Sequence, residues 1–319
     1  MRILITGTAG FIGFHLAQSL LSEGHDIIGL DNFSDYYSVQ LKRDRHAQLE
    51  KHPRYTGIEA DLCDHDRLLR LLQEQGVERV CNLAAQAGVR YSIEHPFTYE
   101  KANLDGFLSV LEACRHAKVP RLVYASSSSV YGGNTKVPFS ESDTVDNPIS
   151  LYAATKKANE LMAHCYTHLY GFQTVGLRFF TVYGPWGRPD MAMWLFTKDI
   201  LAGKPINVFN HGEMQRDFTY VADIVSGIKG ALFADGLAPY EIFNLGNHRS
   251  ERLLDMIQLI GTALGREPKM NMLPMQAGDV PVTYADITRA QQKLGYQPTT
   301  PIAAGIPNFV AWYRAYHKV

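Results

Sequence analysis

Tyr152 and Lys156 stand four residues apart in Ser150-Leu151-Tyr152-Ala153-Ala154-Thr155-Lys156. On a helix that spacing puts both side chains on one face. A phenol beside an ammonium has its phenolate favoured, and such a tyrosine is a general base near neutral pH. Taken alone, the pair is as readily an aromatic ring lying along a lysine stem on a solvated helix. A second group with chemical meaning opens the chain. Gly7, Gly10 and Gly13 recur every third residue just after the apolar run Ile3-Leu4-Ile5. Glycines so placed let a pyrophosphate approach backbone N–H groups at a helix N-terminus. Asp31, at the end of the next apolar run, stands where a carboxylate accepts hydrogen bonds from an adenosine ribose. That carboxylate would repel a 2′-phosphate, so the pattern favours NAD over NADP.

These residues need elements to hold them. Met1 to Gly7 reads as a buried strand running into glycine, and Ile12, Leu16 and Leu20 repeat at helical spacing until Gly24 closes the helix. Ile27 to Leu30 reads as the second strand, and Asp61 ends a further extended segment. Asp64 to Gln75 and Phe97 to Ala117 read as helices, with Val77 to Leu83 as the strand between them. Arg121 to Ser126 then reads as strand, Ser150 to Tyr170 as helix and Thr174 to Phe179 as strand. This alternation predicts an α/β fold, a doubly wound parallel sheet of Rossmann type with helices on both faces. Ligands of such sheets bind beyond the carboxyl ends of the strands. After Gly184 the pattern shortens at Pro185, Gly187, Pro189, Gly203 and Pro205. We read 1–184 as the NAD-binding domain and 185–319 as a smaller substrate-binding lobe. A strand near 241–246 is expected to return to the main sheet.

Composition narrows the classes. The chain has 319 residues, a net charge of −1 and 46% hydrophobic residues. That balance gives no reason to expect nucleic acid, and no apolar run reaches the ~20 residues of a membrane helix. The chain enters a strand at once, so no signal peptide is expected and the location is read as cytoplasmic. Cys63, Cys81, Cys114 and Cys165 are far apart and are read as reduced core thiols. The histidines show no metal-ligand spacing, and no metal is expected.

The glycine turn, the acid-ended strand, the serine-rich segment Ser126 to Ser129 and the Tyr152–Lys156 pair together resemble the extended short-chain dehydrogenase/reductase family, over essentially the whole chain. Asn82 to Ser92, Arg178 to Pro185, Gln215 to Asp223 and Gly278-Asp279-Val280 resemble its nucleotide-sugar branch. Ser150 to His164 and Trp186-Gly187-Arg188-Pro189-Asp190-Met191-Ala192 resemble the UDP-glucuronate 4-epimerases within that branch. One departure is Asn82, where the family usually has histidine.

The resemblance implies roles. Tyr152 would be the base, Lys156 would bind the nicotinamide ribose and lower the tyrosine pKa, and Ser127 would complete the triad. NAD would lie against Gly7, Gly10, Phe11, Ile12, Gly13, Asp31, Asn32, Asp61, Leu62, Leu83, Ala84, Ala85 and Gln86. Ser128 and Ser129 replace the acids that related dehydratases and decarboxylases carry. A sugar carboxylate would sit among Ser128, Ser129, Thr181 and Arg188, since arginine binds carboxylates through two parallel hydrogen bonds. Arg216 would meet the UDP diphosphate, with Arg90 and Asp279 also on the substrate. The implied protein is a homodimer joined by a four-helix bundle. Three alternatives stay open: a 4-epimerase of UDP-glucose or an N-acetylated UDP-sugar, a UDP-glucuronate decarboxylase, and a catalytically silent NAD-sensing protein.

Overall fold

The computed structural model describes residues 1–276 and 280–319. Strand β1 (Arg2–Thr6) is apolar on both faces, and Ile3, Leu4 and Ile5 are fully buried. An uninterrupted apolar run of this kind needs helices on both sides of its sheet, and the chain supplies them. Helix α1 (Phe11–Ser22) follows, then β2 (Asp26–Asp31), α2 (Val39–Leu49), β3 (Tyr55–Glu59), α3 (His65–Gln75) and β4 (Arg79–Asn82). Next come α4 (Gly106–His116), β5 (Arg121–Ser127), α5 (Leu151–Tyr170), β6 (Gln173–Phe179), α6 (Val221–Phe233) and β7 (Tyr240–Leu245). The seven strands are parallel in the order β7-β6-β5-β4-β1-β2-β3. The order reverses between β1 and β4, where the crevice of a doubly wound sheet opens. The fold is the expected Rossmann type.

One core lies between the sheet and α1 with α6, around Ile3, Phe14, Val123 and Ile224. A second lies on the opposite face under α3, α4 and α5, around Leu4, Leu72, Leu111 and Ala163. A third belongs to helices Ala192–Leu201, Leu253–Leu264 and Ile302–His317, which meet around Trp194, Ile257 and Phe309.

The structure differs from the sequence reading in particular places. Phe97 to Ala117 is a helical path with three parts: Pro96–Tyr99, a π-helical stretch Glu100–Asp105, and α4. Helix α2 went unread because its composition is largely polar and charged, although Leu41, Arg45 and Leu49 are buried at fourfold spacing. The strand expected near 241–246 is β7, which pairs with β6, and α6 ahead of it also packs on α1 and β5. Of the four cysteines only Cys81 and Cys114 are buried, whereas Cys165 is exposed. Among the described residues no helix is long and apolar enough to cross a membrane.

Candidate active site

The turn after β1 is shaped by contact distances as much as by flexibility. Gly7 has φ +75, and a Cβ there would lie 2.8 Å from the Ala84 backbone nitrogen. A Cβ on Gly13 would lie 2.1 Å from the Gly7 carbonyl oxygen. The missing side chains thus hold β1, α1 and the end of β4 together, and they leave backbone N–H groups at the α1 N-terminus open to an anion. Asp31 closes this end. Its carboxylate accepts from the Ala9 N–H at 3.0 Å and the Phe33 N–H at 2.8 Å. Burial pushes its pKa up, and those two bonds and Lys42 partly offset the shift. Asn32 donates to Asp61 at 3.1 Å. This glycine cradle with a carboxylate at its far edge fits a dinucleotide. Asn82 lies beneath it, and its Oδ1 accepts from the Thr6 hydroxyl at 2.6 Å.

The chemistry sits where β5 ends and α5 begins. Ser150 caps α5 by accepting from the Ala153 N–H at 3.1 Å, which fixes Tyr152 in the first turn. The Ser127 hydroxyl accepts from the Ser129 N–H at 3.2 Å and hydrogen-bonds the Tyr152 phenol. It is therefore both a turn cap and a partner of the base. A buried pair locks α5 to the sheet: Arg178 donates to both Glu160 oxygens at 2.8 Å, and Ser126 donates to Glu160 at 2.7 Å.

Two expectations need correction here. The i,i+4 spacing predicts that Lys156 lowers the Tyr152 pKa. Instead Lys156 reaches past the tyrosine and donates to the Ala125 carbonyl at 3.0 Å. Burial pushes Tyr152 up, and the groups pulling it back are Ser127 and the Arg188 charge. Burial also brings Lys156 down to about 8. The second correction concerns Arg188, expected as an open fork for a substrate carboxylate. One edge of that fork is engaged by Asp190, from Nε to Oδ1 at 3.0 Å and from Nη2 to Oδ2 at 2.5 Å. Two residues further along an irregular loop, Asp190 is close enough to fold back on it.

A cavity of about 1430 Å³ runs from the glycine turn to Asn207, Phe209 and Leu253. Every candidate residue among the described ones lines it, including Arg90, Ser128, Ser129, Thr181 and Arg216. Asp279 lies outside the described residues. The volume exceeds the ~300–1,000 Å³ of a pocket for one small ligand, so a dinucleotide and a second nucleotide have room together. Thr181 opens the short strand Thr181–Tyr183, paired in parallel with Phe218–Tyr220. Arg216 donates to the Gln215 and Pro281 carbonyls at 2.9 and 3.1 Å. The Arg90 guanidinium lies 5.5 Å from the Phe209 ring centroid.

The sequence reading missed the bridge between the halves. Arg45 of α2, fully buried, donates to Ala9 O at 2.8 Å, Trp186 O at 2.6 Å and Gly187 O at 3.0 Å. It ties the glycine turn to the loop carrying Arg188. An arginine at the core period of Leu41 and Leu49 was the available signal. His15 of α1 does the same by donating to Pro185 O at 2.8 Å. Tyr36 and Lys42, from the same stretch, also line the cavity.

Known proteins share the sequence and the fold. Residues 3–246 match the model of the NAD dependent epimerase/dehydratase family. Protein CapI of Staphylococcus aureus is 50% identical over 100% of both chains. UDP-glucuronate 4-epimerase 2 of Arabidopsis thaliana is 48% identical over 100% of this chain and 77% of that one. The crystal structure of a Bacillus cereus UDP-glucuronic acid 4-epimerase, in complex with UDP-glucuronic acid and NAD, superposes with a TM-score of 0.94 at 35% identity, covering 99% of this chain and 100% of that one. The sequence and the fold are thus those of a known group, and the chain belongs to the NAD dependent epimerase/dehydratase family.

Proposed function

We propose that the protein interconverts UDP-glucuronate and UDP-galacturonate by inverting C4, as an isomerase with NAD as its cofactor. The observation that carries this reading is one cavity that joins a dinucleotide cradle to Tyr152, with the Ser127 hydroxyl and the Arg188 charge both acting on that phenol. Relatives named UDP-glucuronate 4-epimerase, 46–49% identical over nearly the whole chain, support it.

In this reading Gly7 to Gly13, Asp31 and Lys156 would hold NAD, which would supply a hydride acceptor and donor for C4, on either face of the sugar. Tyr152 accepts the proton of the C4 hydroxyl and later gives it back. Ser127 donates to the C4 oxygen or the phenol as the proton moves. Lys156, positively charged below about pH 8, adds a cation beside the ribose. Ser128, Ser129, Thr181 and Arg188 hold the sugar carboxylate. The 4-keto form is a β-keto acid and loses CO₂ when the C5–carboxylate bond aligns with the carbonyl π orbital. A carboxylate fixed by several donors is kept out of that alignment, a positional control with large effects on rate. Arg216, Arg90 and Asp279 serve the diphosphate and sugar.

The division of labour follows the chain: 1–184 with the returning strand holds NAD, and the later lobe holds the UDP-sugar. The protein works as a homodimer. Supporting this, Phe97, Leu108, Leu161 and Leu169 expose apolar side chains on the 96–116 helical path and α5, at 83%, 40%, 58% and 60% of their surface. A cytoplasmic location is supported by four unpaired cysteines. The test is a substrate panel. The wild type turns over UDP-glucuronate in preference to UDP-glucose and UDP-N-acetylglucosamine, and Arg188→Ala removes that preference. A wild type that favours UDP-glucose or UDP-N-acetylglucosamine would transfer the reading to that UDP-hexose, and an Arg188→Ala enzyme that still favours UDP-glucuronate would remove Arg188 from the carboxylate site.

A further inference from the structure

Arg188 is not held by Asp190 alone. The Tyr36 hydroxyl donates to Asp190 Oδ2 at 3.0 Å, so the carboxylate is gripped from both sides. Tyr36 comes from the loop between β2 and α2, remote in sequence from the 184–190 loop. Its ring lies 4.7 Å from Tyr91, which stacks on His95 at 4.0 Å. Its hydroxyl passes close to Gly88, where a Cβ would stand 2.8 Å away. Burial and the Asp190 charge raise the Tyr36 pKa to about 12, so the hydroxyl keeps its proton and remains a donor. Burial disfavours the charge on Arg188, and Asp190 more than offsets this. Tyr36, Arg188 and Asp190 all face the cavity that holds Tyr152.

A guanidinium has five N–H donors in a planar fork. Asp190 uses one from Nε and one from Nη2. The two N–H groups of Nη1 and the second of Nη2 form another edge, suited to a second carboxylate in the same plane. A side chain with this many torsions offers that edge reliably only if something fixes its plane. Tyr36 and Asp190 do so, from two parts of the chain.

We propose that Tyr36 and Asp190 are positioning residues for substrate choice, holding the Arg188 fork so that its open edge receives the sugar carboxylate. This rests on the uronate reading above. The pair touches Arg188, and through it sets the preference for a uronate over a neutral hexose.

The experiment is calorimetric titration of the NAD-loaded protein with UDP-glucuronate, UDP-glucose and UDP. A Tyr152→Phe background slows turnover by about 10²–10⁴-fold, so that binding is read ahead of conversion. Each double variant, with Asp190→Asn or Tyr36→Phe added, is compared with that background. The preference for UDP-glucuronate over UDP-glucose should fall about tenfold for Asp190→Asn, the low end for a hydrogen bond to a charged group, and about threefold for Tyr36→Phe, the scale of an ordinary net hydrogen bond. Affinity for UDP should stay the same. A merely structural role would weaken all three ligands together, and that uniform loss would overturn the proposal. So would tighter binding of UDP-glucuronate to Asp190→Asn, which would mean that Asp190 competes with the substrate. The Tyr152→Phe protein also tests the parent reading separately. If it shows no preference for UDP-glucuronate, the uronate assignment fails before any variant is compared.

Discussion

At the scale of single residues, the proposed reaction puts the proton on Tyr152, and the surroundings of the phenol decide when it can take it. Tyr152→Phe keeps the ring and removes the acid–base group, so turnover should drop by about 10²–10⁴-fold. UDP affinity should hold, as steady-state rates and equilibrium titration would show. Ser127 gives a sharper test. Its hydrogen bond lowers a phenol that burial raises. A base works when deprotonated, so the rate rises with pH through its pKa. Ser127→Ala removes the lowering partner and should move the rising limb of the kcat/KM profile to higher pH. A limb that stays in place would mean that Ser127 does not act on the base. The identity and neighbourhood of Tyr152, Lys156 and Ser127 were legible in spacing and motif. The direction of their interactions was not. Lys156 reaching Ala125 and Asp190 reaching back to Arg188 depend on strand ends and loop curvature, which side-chain periodicity does not encode.

At the scale of elements, the site depends on ties between α1, α2 and the 184–190 loop. His15 is a titratable one. Burial lowers its pKa from 6.5 to about 4, the Pro185 carbonyl opposing the shift and the Arg45 charge adding to it. The unfolded chain takes up a proton near pH 6.5, while the folded ring stays neutral until about pH 4. Stability from the neutral ring is therefore complete above pH 6.5 and is lost as pH falls toward 4. From pH 7 to pH 5 the wild type should lose about 2 kcal/mol more than His15→Gln, which keeps an N–H donor without a proton to gain. Denaturant titration at the two pH values measures this, and equal losses would show that His15 is not held neutral. The strand–turn–helix start was readable because apolar runs and glycine spacing are local signals. Helix α2 was hidden because its buried positions include Arg45, which polarity alone assigns to the surface.

At the scale of the whole molecule, sheet and non-sheet segments interleave. The chain leaves the sheet after β6, forms Thr181–Tyr183 and Ala192–Leu201, returns as α6 and β7, and leaves again for Leu253–Leu264 and Ile302–His317. Parallel pairing of β7 with β6 joins residues some sixty positions apart, such as Phe243 with Leu177. A strand-like run shows that a strand exists but not where it docks. The same surface logic applies to assembly. Phe97 and Leu161 leave apolar area that a monomer would expose. Phe97→Glu with Leu161→Glu should convert a dimer to monomers in sedimentation velocity, and an unchanged sedimentation coefficient would place the interface elsewhere. The central claim, that the C4 hydride leaves and returns within one closed site, is tested most directly with UDP-glucuronate deuterated at C4. Proton NMR of the reaction, with no added oxidant or reductant, should show UDP-galacturonate with the deuterium still at C4 and no net NADH. Loss of the label to solvent, or a UDP-pentose formed with CO₂, would contradict it.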